Sequence, residues 1–179
     1  MPSSAISNLT AVTTPALTDT YVTVQSGTDL KITATQMATL MPGYQLNYVE
    51  FTSSVNVTAT TEGTADTVVA GSSVTYDGST AVMIEFFCAQ NRVPASAGAV
   101  YTFILLEDST VLGQIANIKT PSATANFDVP VFVCRKRTPS AGAHTYTIKA
   151  FVSTGTGISA AGSGGSGNLV PGFIRVTRA

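Results

Sequence analysis

Met83-Ile84-Glu85-Phe86-Phe87-Cys88, Tyr101-Thr102-Phe103-Ile104-Leu105-Leu106 and Val129-Pro130-Val131-Phe132-Val133-Cys134 decide the fold. Each reads as a strand that is apolar on both faces, broken in the first run only by Glu85. A strand of a solvated antiparallel sheet alternates hydrophobic and polar residues. In a two-layer sandwich only one face of each sheet meets the core, so the second apolar face needs another cover. Large apolar patches are rare on soluble monomers, and sister subunits are the natural cover. The expected state is an obligate oligomer.

Outward from these runs the chain alternates strand and turn. The expected strands are 46–58, 65–70, 73–77, 81–89, 99–107, 110–117, 125–135, 143–153 and 171–178. Asp77-Gly78-Ser79, Pro94-Ala95-Ser96-Ala97-Gly98, Glu107-Asp108-Ser109, Thr120-Pro121-Ser122 and Thr138-Pro139-Ser140-Ala141-Gly142 are the turn signals between them. Thr supplies 28 of the 179 residues, and β-branched Thr and Val suit a pleated surface better than a helix. The chain is therefore expected to be all-β, an antiparallel β-sandwich of the jelly-roll type. An immunoglobulin-like strand order suits the same short strands equally well. No fixed-period repeat is visible, which counts against solenoids and propellers.

Residues 1–43 read as a separate N-terminal arm, and 44–179 as the sandwich domain. Ser3 to Thr18 is rich in Ser, Thr, Ala and Pro. Tyr21-Val22-Thr23-Val24-Gln25 and Leu30-Lys31-Ile32-Thr33 form an expected hairpin around Ser26-Gly27-Thr28-Asp29. A short helix is expected over 36–41, capped by Thr35 and stopped by Pro42-Gly43. So small a module buries too little to stand alone, so it is expected to dock on a partner or on sister copies. Its apolar residues Ile6, Leu9, Leu17, Tyr21, Val24, Ile32, Met37 and Leu40 are the candidate partner contacts. In the sandwich, Phe86, Phe103, Leu105, Phe132 and Phe173 are the candidate core and trimer residues.

Charge excludes several functions. Nine Lys and Arg face ten Asp and Glu, and charged residues make up 11% of the chain. Nucleic-acid binding needs a clustered positive field, and none is present here. No apolar stretch reaches the ~18 residues of a membrane span. Met1-Pro2-Ser3-Ser4-Ala5 lacks the basic start and apolar run of a signal peptide, so none is expected.

Chemistry-bearing motifs are sparse. A catalytic His144, the single histidine, would need a nucleophile and an acid beside it. No Gly-x-Ser-x-Gly joins a strand to a helix, and the Gly162-Ser163-Gly164-Gly165-Ser166-Gly167 stretch reads as a loop. One His and two separated Cys do not make a zinc site of usual spacing. Cys88 and Cys134 are read as small core hydrophobes, a disulfide between neighbouring strands being the alternative. Glu85, inside an apolar strand, needs a partner, with Arg92, Arg135 or Lys149 available. Arg135-Lys136-Arg137 reads as a solvated basic loop, contact with an acidic partner surface being the alternative. No catalytic residue, metal or cofactor is expected, and no enzyme.

Two resemblances add to this reading. Ile6-Ser7-Asn8-Leu9 through Pro15, Asp19, Gln25, Gly27, Lys31-Ile32-Thr33 and Met37 resembles a short module of bacteriophage tail fibres and other virion appendages. Val68-Val69-Ala70-Gly71, Val74-Thr75-Tyr76-Asp77-Gly78, Ile84-Glu85-Phe86-Phe87, Pro139-Ser140-Ala141-Gly142-Ala143-His144-Thr145-Tyr146-Thr147-Ile148 and Pro171-Gly172-Phe173-Ile174-Arg175-Val176 resemble trimeric jelly rolls of the tumour-necrosis-factor and complement type in phage structural proteins. The resemblance implies a homotrimeric virion protein, made in the host cytoplasm. It would be a capsid decoration (cement) protein or head fibre, anchored by its N-terminal arm to the major capsid protein or another virion protein. A tail fibre or receptor-binding tip, or a carbohydrate-binding module contacting a host-surface glycan, are the alternatives. Tyr44, Tyr48, Tyr76, Tyr101 and Phe173 would supply the stacking surfaces for such a glycan.

Overall fold

The computed structural model describes residues 20–25, 28–121 and 127–179. Ile6, Leu9 and Leu17 lie outside the described residues. The chain divides into two compact units, Met1–Tyr44 and Gln45–Ala179. In the first, β1 (Thr20–Gln25) and β2 (Thr28–Thr33) form an antiparallel hairpin. Helix α1 follows at Ala34–Ala38, two residues earlier than the expected start at Gln36. The cause is a capping exchange centred on Thr33 instead of Thr35. The Gln36 amide donates to the Thr33 hydroxyl, while the Gln36 side chain accepts from the Thr33 amide. Among the described residues no helix is long and apolar enough to cross a membrane.

The second unit is an antiparallel sandwich. Its strands are β3 (Gln45–Phe51), β4 (Val55–Val57), β5 (Asp66–Ala70), β6 (Val74–Asp77), β7 (Val82–Val93), β8 (Val100–Glu107), β9 (Thr110–Lys119), β10 (Phe127–Arg137), β11 (Ala141–His144), β12 (Tyr146–Val152), β13 (Gly157–Ala160) and β14 (Gly172–Arg178). β3 pairs with β14, β5 with β12, β7 with β10 and β8 with β9. β6 pairs with β11 and continues the β5–β12 ribbon. First with last, and so inward to neighbours, is the winding of a jelly roll, so the immunoglobulin-like order is excluded. One sheet runs β3-β14-β7 with β10 on the far edge of β7, and β13 and β4 extend it. The other runs β5-β12-β8-β9.

The core between the sheets comes from alternate residues. Val82, Ile84, Phe86 and Cys88 of β7 face Tyr101, Phe103 and Leu105 of β8, with Ile174 and Val176 of β14 beside them. The Phe86 and Phe103 ring centroids are 5.6 Å apart, and those of Tyr101 and Phe103 4.6 Å apart. β10 carries a proline without breaking because Pro130 falls at a register shift between Val129 and Val131. A bulge on a strand paired along one side needs no amide there.

The expected strand 46–58 is two strands, separated at Thr52–Ser54, and 143–153 is likewise split at Thr145. β13, within a Gly- and Ser-rich stretch, was not expected. Arg135-Lys136-Arg137 is the end of β10 rather than a loop. The guanidinium of Arg137 binds Glu107, and Arg135 Nη1 donates to the Leu112 carbonyl at 2.6 Å. Cys88 and Cys134 are free, the first buried and the second exposed, so Cys134 is not a core residue. Cys134 faces outward across from Glu85, whereas Cys88 pairs with Val131 on the core side.

Gly172 is required by a close approach. A Cβ there would lie 2.2 Å from the Phe51 ring, its register partner on β3. Gly172→Ala must displace that ring, and overpacking of this kind costs about 1–3 kcal/mol. We expect the thermal midpoint, followed by circular dichroism, to fall by about 5 °C. An unchanged midpoint would show that Phe51 has a second seat.

Candidate functional site: an aromatic interaction face

The two-faced strands find their covers in different ways. On β8 the outward Ile104 and Leu106 are sealed within the chain, by Ala65 and by Phe151 of β12. Ala65 closes the tight turn at Glu62–Thr64 that precedes β5. No sister subunit is needed there. On β7 and β10 the second face stays open: Phe132 is 59% exposed and stands outside the core.

Strand register then assembles a row across four strands. Phe132 of β10 lies opposite Phe87 of β7, and Phe87 lies opposite Phe173 of β14. Phe173 faces Glu50 of β3, with exposed Tyr48 two residues away on the same face. The Phe87 and Phe173 centroids are 5.7 Å apart, and those of Tyr48 and Phe173 5.3 Å apart. Both pairs are tilted, in the range where aromatic contacts are favourable. The next row reads Cys134, Glu85, Arg175 and Tyr48.

Charges within this face are neutralised locally. Arg175 Nε donates to Glu85 Oε2 at 2.7 Å, and its guanidinium sits 5.9 Å from the Phe173 ring centroid. The partner of Glu85 is thus Arg175, not Arg92, Arg135 or Lys149. Arg92 instead pairs with Asp128 at 3.0 Å. The Tyr48 hydroxyl donates to Glu50 Oε1 at 2.7 Å, and that bond raises the phenol pKa above its ordinary value. The result is an aromatic stripe with a paired acid and base at its centre. Such a surface stacks against flat apolar partners while offering a few directed polar contacts.

The other expected site residues are placed as follows. Phe86, Phe103 and Leu105 lie in the sandwich core. Phe173 is half-buried on the outer face rather than inside. Ile32 is half-buried, whereas Met37 and Leu40 are exposed, Leu40 by 62%. Tyr21 and Val24 lie on β1. Of the aromatic residues expected to stack on a glycan, Tyr76 and Tyr101 are buried and Tyr44 is half-buried, leaving Tyr48 and Phe173 together. Phe87, Glu85 and Arg175 join that pair, and sequence reasoning did not assign them to the face. Their signal is the period of two in Glu85-Phe86-Phe87 and Phe173-Ile174-Arg175, which puts inner and outer residues side by side.

Beside the β6 end of the sandwich, Leu46, Thr75, Tyr76, Asp77, Thr80, Val82 and Arg178 line a cavity of about 100 Å³. The Arg178 Nε is buried there without a protein partner, and the space suits ordered water.

No protein-family model and no curated protein matches this chain. Among solved structures it is similar to a carbohydrate-binding module from Cellvibrio mixtus lichenase 5A, at 14% identity and a TM-score of 0.24, covering 93% of this chain and 91% of that one. It is also similar to infectious bursal disease virus, Gt strain, at 9% identity and a TM-score of 0.39. A third likeness is to the VP2 subviral particle of the same virus, at 10% identity and a TM-score of 0.32. This chain covers 43% of each of those two viral chains and is itself covered over 90% and 92%. At these levels the likenesses carry no argument about function.

Proposed function

We propose that this chain is a structural protein of a bacteriophage particle, a homotrimeric capsid decoration protein or head fibre. The 44–179 jelly roll is displayed, and the 1–43 arm contacts the major capsid protein or another virion protein. The observation that carries the reading is the open outer face of Phe132, Phe87 and Phe173, which asks for a partner surface. Exposed Met37 and Leu40 support an anchoring role for the arm. Contacts made by the folded arm on a shell would stabilise that shell by mass action. The role of this face is one of packing: Glu85, the carboxylate within it, is held by Arg175.

Multi-angle light scattering on the full chain tests this reading. A mass near three times 18.4 kDa is expected. Phe132→Asp and Phe87→Asp are expected to yield folded monomers, because a charge buried without a partner in the interface is unfavourable. The trimer should then bind empty capsids in a sedimentation assay. A monomeric wild-type chain overturns the trimer.

A second reading, a glycan-binding tip or module, rests on the Tyr48–Phe173 pair with Glu50 and Arg175 beside it. It is favoured if the chain is monomeric and if glycan binding is lost in Tyr48→Ala.

A further inference from the structure

The turn between β8 and β9 brings Asp108 to the end of β11, 36 residues from His144 in sequence. The His144 Nδ1 lies 2.8 Å from Asp108 Oδ2, and its Nε2 lies 2.9 Å from the Ser140 hydroxyl. Asp108 is fixed on both sides: its Oδ1 accepts from the Thr145 amide at 2.9 Å, and its own amide donates to the Thr145 carbonyl at 2.8 Å. Its φ of +56° is the left-handed conformation that a two-residue hairpin turn requires and that Asp tolerates.

Ser140 and His144 meet because the chain bends between them. Residues four apart in a straight strand are separated by about 13 Å, too far for a hydroxyl and an imidazole to touch. Gly142, with φ at +130°, breaks that line. The imidazole is nearly covered, at 16% side-chain exposure, with the Tyr76 ring 6.1 Å away. Ser140 is exposed. Gly78 leaves the backbone next to it unobstructed, since a side chain there would come within 2.9 Å of the Ala141 nitrogen.

Hydroxyl to imidazole to carboxylate, each within hydrogen-bond distance and the carboxylate locked, is the geometry by which an acyl-transfer nucleophile is recognised on any fold. We propose that Ser140, His144 and Asp108 form a hydrolytic triad acting on short acyl esters presented at the surface of a larger molecule. Ser140 opens straight to solvent, which favours a small acyl group projecting from its carrier. This activity is separate from the packing role and from the aromatic face.

In the first half-reaction the Ser140 oxygen bonds to the ester carbonyl carbon as His144 Nε2 takes the hydroxyl proton. The carbon–oxygen bond to the alcohol then breaks, and the leaving oxygen takes that proton from His144. Water next attacks the acyl-serine, giving a proton to His144. The serine oxygen leaves and recovers the proton, so one ester and one water yield one acid and one alcohol. Asp108 is a positioning residue that selects the Nδ1–H tautomer and stabilises the imidazolium.

The groups around the imidazole set the pH response. Asp108 raises the His144 pKa above the ordinary 6.5, and Glu107 adds to this. The charge of Glu107 is largely taken by Arg137, and Asp77 of β6 is occupied by the Ser79 and Thr80 amides. His144 must be neutral to act as base, so hydrolysis should rise with pH through a midpoint above 6.5.

The full chain is treated with a fluorophosphonate probe, the labelled serine is mapped by mass spectrometry, and 4-nitrophenyl acetate turnover is followed across pH. Labelling is expected at Ser140 in native but not heat-denatured protein. Turnover should vanish in Ser140→Ala and fall about 100-fold or more in His144→Ala. Asp108→Asn should lower the turnover midpoint and the His144 titration, read from its single imidazole NMR signal, while Asp108→Glu restores both. Labelling of Ser140 no faster than of other exposed serines, or at an unchanged rate in folded His144→Ala, overturns the triad.

Discussion

Phe86→Ala is expected to remove about 3–5 kcal/mol of folding stability, whereas Phe132→Ala should change the stability of a single subunit by less than about 0.5 kcal/mol. Both phenylalanines belong to apolar runs that read alike in sequence. Phe86 is 1% exposed and packs against Phe103 between the sheets. Its removal leaves a cavity that the rigid β7 and β8 backbones fill only in part. Phe132 points the other way, opposite Phe87 on the outer face. Under the proposed trimeric reading, its removal acts on association and lowers the mass read by light scattering at micromolar concentration. Urea denaturation at concentrations below dissociation separates the two effects. Equal midpoint losses in both variants would mean that the outer face is part of the subunit's own core.

Arg137→Ala is the second large effect, at about 3 kcal/mol. Glu107 ends β8 at 7% exposure, where its Oε1 accepts from the Tyr146 hydroxyl at 3.0 Å and its Oε2 accepts from the Arg137 guanidinium. Removing the guanidinium leaves a buried carboxylate with one neutral donor. Glu107→Gln should cost less, because the Arg137 side chain is about one-third exposed and can turn to water. The surrounding phenols respond to the same environment: burial and the Glu107 charge push Tyr76 up to about 12 and raise Tyr146 as well. Denaturation at pH 7 checks the order. If Glu107→Gln proves the more damaging, the arginine rather than the acid carries the buried part of the pair.

Some of this was legible in single stretches of chain. Strand positions follow from Thr and Val content and from turn dipeptides, which act over a few residues. Thus β5, β6, β8 and β14 lie within a residue or so of their expected bounds. β13 escaped because Gly157-Ile158-Ser159-Ala160 has no strong strand signal of its own. It is a strand because β7 and β4 flank it, and because Ser159 joins the buried Tyr101 and Asn91 side chains. Arg135-Lys136-Arg137 read as solvated because three cations in a row look solvent-facing. The period of two sends Arg135 and Arg137 inward to Leu112 and Glu107, leaving Lys136 outside.

The sequence by itself determined the all-β class, the approximate strands and the existence of apolar faces in excess of one core. Those properties rest on local preferences: β-branched residues, turn residues, and side chains alternating about the backbone. Only the tertiary structure decided the jelly-roll order over an immunoglobulin-like one, and which second face is sealed and which left open. It alone joined Glu85 to Arg175 and placed Asp108 against His144 and Ser140. Each of these depends on which distant strand lies alongside which, and in what register. Pairing partners separated by about 30 to 130 residues are chosen by the packing of the whole sandwich, not by any window of the chain.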